Sequence, residues 1–198
     1  MSPARRVLRP SISPIARPEK SQLRLFVEPQ RRPERTVLQV RVVNDFGLFI
    51  LRVVAGGYIV KYGLPKLRDV TGSFAKEFES LGFHPPGAYV EQAGFVEVIS
   101  GALIVFGAFG PIGPMMLIAD MMVAGAATTV RDKRFDLDQH EEEALFASIA
   151  LLLALGGPGA ISTDSAFGVR ILDRAWLRVL SVPAALAGAA FMLSQRKI

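Results

Sequence analysis

Long runs of apolar residues follow one another along the sequence after residue 45. Three of them, residues 46–67, 88–109 and 112–130, have the roughly 20 residues that a helix needs to cross about 30 Å of hydrocarbon. A shorter run at residues 143–155 predicts a fourth helix, which reaches span length only if it begins earlier, within the stretch HEEE. Because the runs are continuous rather than alternating, they indicate helices and not the strands of a barrel.

A fifth apolar run covers residues 175–193 and contains Arg178 and Pro183. It has the length of a membrane span, but Arg170, Arg174 and Arg178 recur at a spacing of four, which is also typical of a basic helix lying on a membrane surface. Both interpretations stay open. The predicted fold is an all-α transmembrane four-helix bundle with a fifth C-terminal helix and an extended basic N-terminal tail.

Two patterns predict how the helices pack. Pro111 and Pro114 flank the short turn GPIGP, which makes the second and third spans an antiparallel hairpin. Glycines recur along the first two spans, and small residues let helices approach each other closely in lipid. These glycines are Gly56, Gly57, Gly63, Gly94, Gly101 and Gly107.

The N-terminal region differs in composition from the rest of the chain. Residues 1–45 hold ten Lys/Arg, four Asp/Glu and six prolines, whereas the other 153 residues have a net charge of −1. We predict a basic, extended cytoplasmic tail over 1–45, a membrane domain over 46–164, and a basic segment with the fifth helix over 165–198. Residues 35–43 are either an interfacial segment or an extension of the first span.

Composition narrows the possible functions. Hydrophobic residues make up 51% of the chain, which is typical of a membrane protein. The absence of cysteine excludes disulfides and thiolate metal sites supplied by this chain. The basic tail favours anionic lipids or an acidic partner protein, and no module that recognises nucleic acid is visible. We expect a bacterial plasma membrane protein with a cytoplasmic N-terminus.

Four ionisable residues interrupt the apolar runs: Arg52, Glu91, Glu97 and Asp120. A charge in hydrocarbon costs several kcal/mol, so each should pair, protonate or face a cavity. We predict that Arg52 pairs with Glu97 or Asp120. Two interpretations remain open, a buried ion pair that fixes helix register and a carboxylate that responds to protons or quinone. Glu91 and Glu97 lie on different helix faces, so they do not predict a metal site.

The acidic run DLDQHEEE, which contains His140, is interpreted as the solvated start of a helix rather than a cation site, because the helix dipole alone favours carboxylates there. No metal ligand set is predicted.

Four motifs together resemble DoxX-like membrane proteins. They are LRVVAGGYIVKYGLPKL at 51–67, FAKEFESLGF at 74–83, GFVEVISGALIVFGAFG at 94–110 and GGPGAISTD at 156–164. The resemblance implies a four-helix bundle in a bacterial or archaeal plasma membrane. Members are described as small subunits of quinone-linked oxidoreductases, including thiosulfate:quinone systems, and others accompany superoxide-detoxifying enzymes.

The resemblance also implies which polar residues matter. Arg52, Glu97 and a carboxylate entering the fourth helix, here Glu141, occupy the family's polar positions. Tyr62 and Val130 stand at or near positions where many relatives have histidine, which weakens any role built on those histidines.

The sequence leaves three functional hypotheses. The first is an accessory subunit of a redox membrane complex, structural or quinone-responsive, that contacts lipids and larger membrane proteins and has no covalently bound cofactor. The second is a quinone-linked oxidoreductase subunit that uses Arg52, Tyr62 and Glu97 around the head group. The third is a small-solute or proton carrier, which would need an inverted repeat or broken helices that the sequence does not show.

Overall fold

The structure is a computed structural model, and it describes residues 34–169 and 174–197, with side chains from residue 44 onward. Every regular element in these ranges is helical, which confirms the all-α prediction. The elements are α1 (Glu34–Arg68), α2 (Ser73–Ser80), α3 (Pro86–Phe106), α4 (Ile112–Asp132), a 3₁₀ turn (Leu137–Gln139), α5 (Glu141–Gly156), α6 (Thr163–Ala166) and α7 (Ala175–Ser194).

Four of these helices have stretches long and apolar enough to cross a membrane, by length and composition. They are Asn44–Arg68 within α1, Pro86–Phe106, Ile112–Asp132 and Ala175–Ser194. The predicted fourth helix is present as α5 and begins at Glu141, inside the acidic stretch, but its 16 residues leave it shorter than the other four.

The C-terminal helix α7 is part of the bundle. It packs against α4 and α5, and its Ala185 and Ala189 are buried there. Of the predicted arginine stripe, Arg170 lies outside the described residues and Arg174 is the residue that precedes α7. Arg178, in the first turn of α7, donates from Nη1 to the Gly156 carbonyl at 3.2 Å and so contacts the end of α5. At the other terminus, residues 35–43 are helical, and the predicted tail before residue 34 lies outside the described residues.

A glycine seam joins α1 to α3. An added Cβ at Gly56 would lie 2.6 Å from the Gly101 carbonyl oxygen, and one at Gly63 would lie 2.8 Å from the Gly94 carbonyl oxygen. The two pairs are each seven residues apart on their own helix and run in opposite order, so α1 and α3 are antiparallel. Their backbones approach closely because these positions have no side chain.

The central helix is α4, which packs against α3, α5 and α7. Its buried Leu117, Ile118 and Met121 form one apolar core with Ile59 of α1 and Phe146 of α5. The α3–α4 connection is the predicted tight hairpin, since α3 ends at Phe106 and α4 begins at Ile112.

The bundle has two ends, which differ in how they are closed. We call the end that holds residues 107–111 and 157–169 the loop end. We call the end that holds α2, the start of α5 and residues 195–197 the α2 end. At the α2 end, Arg196 donates from Nε to the Leu81 carbonyl at 2.6 Å, and its guanidinium lies 5.7 Å from the Phe83 ring centroid.

Candidate functional site

Arg52 lies at the loop end and has other partners than we predicted. Its side chain is 2% exposed, and it donates a hydrogen bond from Nη2 to the Ile161 carbonyl, with the Asp164 carboxylate nearby. The predicted pairing with Glu97 or Asp120 is wrong. Arg52 lies against Gly107 at the end of α3, ten residues beyond Glu97, which corresponds to about 15 Å along a helix.

Asp164 fastens the loop between α5 and α7 to the α3–α4 turn. Its Oδ1 accepts from the Phe109 N–H at 2.9 Å, and its Oδ2 accepts from the Gly110 N–H at 2.6 Å. Phe109 has φ 59°, a strained left-handed conformation for a non-glycine residue. The carboxylate helps to hold that conformation. Sequence reasoning did not single out Asp164, although it is the last residue of the GGPGAISTD motif.

Glu97 pairs with Lys66 instead of Arg52. The Lys66 Nζ and Glu97 Oε1 atoms are 2.5 Å apart, with side-chain exposures of 19% and 5%. Side chains on a helix lean toward its N-terminus, so Lys66 reaches back along α1 to the level of Glu97. Gly63, on the preceding turn of α1, lies against Glu97, since an added Cβ there would be 2.9 Å from the Glu97 Cβ. Lys66 was overlooked, although the quoted motif GLPKL contains it.

A cavity of about 400 Å³ opens beside this pair. Lys66, Glu97 and Asp120 line it, together with apolar side chains from α1, α3, α4, α5 and α7. Asp120 interacts electrostatically with Glu97 and Lys66, and within the described residues no side chain hydrogen bonds to its carboxylate. The Glu97 Oε2 atom is also buried without a hydrogen-bond partner in the described part of the chain.

Tyr62 lies at the edge of the same cavity. Its ring is edge-on to Phe146 at 6.2 Å, and its hydroxyl group lies near the Glu142 carboxylate. The side chain is 40% exposed. The structure therefore brings Tyr62 and Glu97 to one cavity, as the second functional hypothesis requires, but places Arg52 elsewhere.

Two residues predicted to pair inside the bundle are on its surface. Glu91 is exposed on α3, and Glu141 is exposed at the first position of α5. Their prediction as intramembrane pairing residues is wrong, because both side chains are exposed near the starts of their helices and neither forms an ion pair within the described residues. The carboxylates of α5 that line the cavity are instead Glu142 and Glu143.

His140 is buried rather than solvated. It is 4% exposed, its Nε2 lies 3.0 Å from Thr129 Oγ1, and its Nδ1 lies 4.0 Å from Glu143 Oε2. No group of three His, Cys, Asp or Glu side chains arranged to hold a metal ion occurs within the described ranges.

Comparison with known proteins assigns the first three spans. The DoxX family model matches residues 47–130. This segment is a DoxX domain. The resemblance drawn from the motifs is confirmed over these residues, and Tyr62, Lys66, Glu97 and Asp120 all lie within the DoxX domain. The GGPGAISTD motif and α5 fall outside the matched segment.

No curated protein and no solved structure matches the chain.

Proposed function

We propose that this DoxX-family membrane protein is a subunit of a redox complex and binds a quinone head group in the cavity at Lys66, Glu97 and Asp120. It sits in the bacterial plasma membrane with its N-terminus in the cytoplasm, and another chain of the complex carries the redox cofactor. A bound quinone takes up two electrons and two protons. The residues of this chain bind the head group, orient it and exchange protons with it.

One observation carries the proposal: the partly buried Lys66–Glu97 pair forms part of the wall of a cavity of about 400 Å³. Ligand cavities are typically 300–1,000 Å³, mostly apolar, with a few polar groups that converge on the ligand. A structural ion pair that only fixed register would be expected to be packed against protein, without such a space beside it.

The residues present fit a quinone. Lys66 Nζ has hydrogens beyond the one that points to Glu97 Oε1, so it can donate to a head-group carbonyl. The buried Glu97 Oε2 lacks a partner in the described residues and can accept from the hydroxyl group of the reduced form. Asp120, across the cavity on α4, adds a second carboxylate that can take or release a proton.

Arg52 is not a binding residue in this proposal. It lies at the loop end, and the Ile161 carbonyl and Asp164 surround it. Lys66 takes the place that the sequence argument gave to Arg52, and Tyr62 lies at the rim of the cavity.

Equilibrium binding tests the proposal. The full chain is reconstituted in lipid nanodiscs, and the affinity for a prenylated benzoquinone is measured for the wild type, Lys66→Met and Glu97→Gln. Glu91→Gln is the matched control, because it makes the same change on the same helix at an exposed position that does not line the cavity. We expect about tenfold weaker binding for the two cavity variants and unchanged binding for the control. Equal affinities for the wild type and all three variants would contradict the proposal.

The complex is tested separately. A tagged chain is purified from native membranes in mild detergent, and the copurifying proteins are identified and their absorption spectrum recorded. Stoichiometric flavin or haem proteins would support a redox complex. Recovery of the chain alone, without colour and without quinone, would refute it.

A further inference from the structure

We infer that the cavity has a lateral mouth between α3 and α7 through which the hydrocarbon tail of a neutral-headed membrane amphiphile lies. The position of the mouth rests on the structure, and the choice of a neutral head group also rests on the proposed function.

The helix packing leaves room for such a mouth. Both α3 and α7 pack on α4 rather than extensively on each other. Gln92 of α3 and Met192 of α7 line the cavity, and Gln92 Nε2 donates to Met192 Sδ at 3.5 Å. Because a thioether sulfur is a weak acceptor, this single hydrogen bond bridges the two helices without sealing them.

Gly188 marks the rim. It lines the cavity, it is exposed, and an added Cβ there would meet no atom within 4 Å. Met192 lies one helical turn further along the same face of α7. A residue that belongs both to the cavity wall and to the outer surface of the bundle shows where the two are continuous. Because α3 and α7 are both span-length helices, this surface faces lipid once the chain is in a membrane.

The cavity also has a polar side. Glu77, Glu142 and Glu143 line it at the α2 end, where they are exposed or partly exposed. With Glu97 and Asp120 there are five carboxylates against the single amine of Lys66 among the described lining residues. Even with Glu97 paired to Lys66 and Asp120 left out of the count, the three carboxylates at the α2 end make the cavity negative, which disfavours a fatty-acid carboxylate or a lipid phosphate. The cavity can instead accept an uncharged head group that forms hydrogen bonds, with the tail of the amphiphile directed toward Gly188.

Cysteine labelling tests the mouth without depending on any quinone. The chain contains no cysteine, so a single Ala93→Cys substitution on the cavity wall gives a unique thiol. The full chain is reconstituted in bilayers and exposed to a maleimide on a long alkyl chain that is dissolved in the lipid. The rate is compared with and without Gly188→Leu, which places a side chain at the rim.

The matched control is Gly57→Leu. Gly57 is also helical, exposed and free of atoms within 4 Å of an added Cβ, but it is on α1 and does not line the cavity. Val54→Cys, exposed on α1, reports delivery of the reagent through the bilayer. We expect Gly188→Leu to slow labelling of Ala93→Cys at least tenfold, and Gly57→Leu to change it less than twofold. A charged, water-soluble thiol reagent reports the polar side, and its rate should not respond to Gly188→Leu.

Equal rates in the two leucine variants would overturn the lateral mouth. So would a failure of Ala93→Cys to react with the alkyl reagent while Val54→Cys reacts. A prenylated quinone added to the bilayer should protect Ala93→Cys, and oleate should not; equal protection by oleate would overturn the neutral head group. If Gly188→Leu blocks labelling as expected but the quinone gives no protection, the mouth stands and the proposed quinone function fails.

Discussion

Arg52 and Lys66 are two buried or half-buried cations on the same helix, fourteen residues apart, and their surroundings differ sharply. Arg52 donates to the Ile161 carbonyl and its guanidinium lies 6.0 Å from the Phe49 ring centroid, and the cavity beside it holds about 10 Å³, room for about one water. Lys66 pairs with a side chain and lies beside about 400 Å³ of space.

The difference shows what distinguishes a structural contact, which stabilises the fold, from a binding site. At the loop end, the partners of Arg52 and Asp164 include main-chain groups that cannot move without unfolding the turn. At the cavity, Lys66 and Glu97 are each other's side-chain partners, and such side chains can rotate toward a ligand. Buried atoms without a hydrogen-bond partner in the described residues occur at both sites, at Glu97 Oε2 and at Arg52 Nε and Nη1, so the kind of partner makes the difference. Loss of Asp164 should therefore cost stability, whereas loss of Glu97 should mainly cost binding.

The largest effect is expected for Asp164→Ala. It removes two hydrogen bonds from a charged acceptor, each contributing roughly 1.5–3 kcal/mol, and leaves the buried Arg52 without its neighbouring carboxylate. We expect the free energy of unfolding in mixed micelles to fall by about 3–5 kcal/mol. Asp138→Ala, at an exposed position in the 3₁₀ turn, is the control and should change it by less than about 0.5 kcal/mol. If both variants lost the same free energy of unfolding, Asp164 would not be a structural contact that holds the loop end.

The glycine seam connects the two ends, so a substitution there should affect both. In Gly101→Ala the new Cβ would lie 2.6 Å from the Gly56 carbonyl oxygen, which forces α1 and α3 apart. Overpacking of this kind costs about 1–3 kcal/mol of unfolding free energy, and we expect quinone affinity to fall as well. Gly57→Ala on the open face of α1 should instead be neutral or stabilising, by up to about 1 kcal/mol. Thermal unfolding and quinone binding are measured for both variants, and equal stability and affinity in the two would contradict the prediction.

A smaller effect on stability, with a clear effect on binding, is expected for Glu97→Gln. Lys66 keeps 19% exposure and adjoins a cavity that can admit water, so the lost pair should lower the free energy of unfolding by only about 1 kcal/mol. Quinone binding should weaken about tenfold, or about 1.4 kcal/mol. Unfolding and binding are measured on the same preparation. If Glu97→Gln lowered the free energy of unfolding by several kcal/mol, Glu97 would be a structural contact like Asp164.

The smallest effect is expected for Arg196→Gln at the α2 end. Burial lowers the pKa of Arg196 from its usual range, but an arginine remains charged at neutral pH. Its loss removes the hydrogen bond to the Leu81 carbonyl and the contact with Phe83, and we expect about 1 kcal/mol less stability and faster amide hydrogen exchange in the last turn of α7. Lys197→Gln is the control, because within the described ranges the hydrogen bond of Lys197 is made by its backbone N–H, which donates to the Gly82 carbonyl. Equal exchange rates in the two variants would show that the Arg196 side chain does not hold this end.

Several features of the site could be read from the sequence. Glu97 and Asp120 were identified because an ionisable residue within an apolar run is conspicuous. Tyr62 was identified through the DoxX resemblance, because it stands where many relatives have histidine. Lys66 was not, because it stands in the last turn of its span, where basic residues are ordinary. Asp164 was overlooked for a similar reason, since it lies in a polar loop. The role of Lys66 becomes visible only when α3 lies beside α1, and that of Asp164 only when the α3–α4 turn lies beside its loop.

The sequence by itself determined the helical class, the first three spans and the DoxX resemblance, because length, apolar runs and local motifs do not depend on distant residues. Only the tertiary structure decided that Glu97 meets Lys66 and that Arg52 meets Ile161. Those partners are 31 and 109 residues apart, and helix register selects them. The glycine seam sets that register between α1 and α3, since bare backbone at Gly56 and Gly101 is what lets the two helices meet at this height.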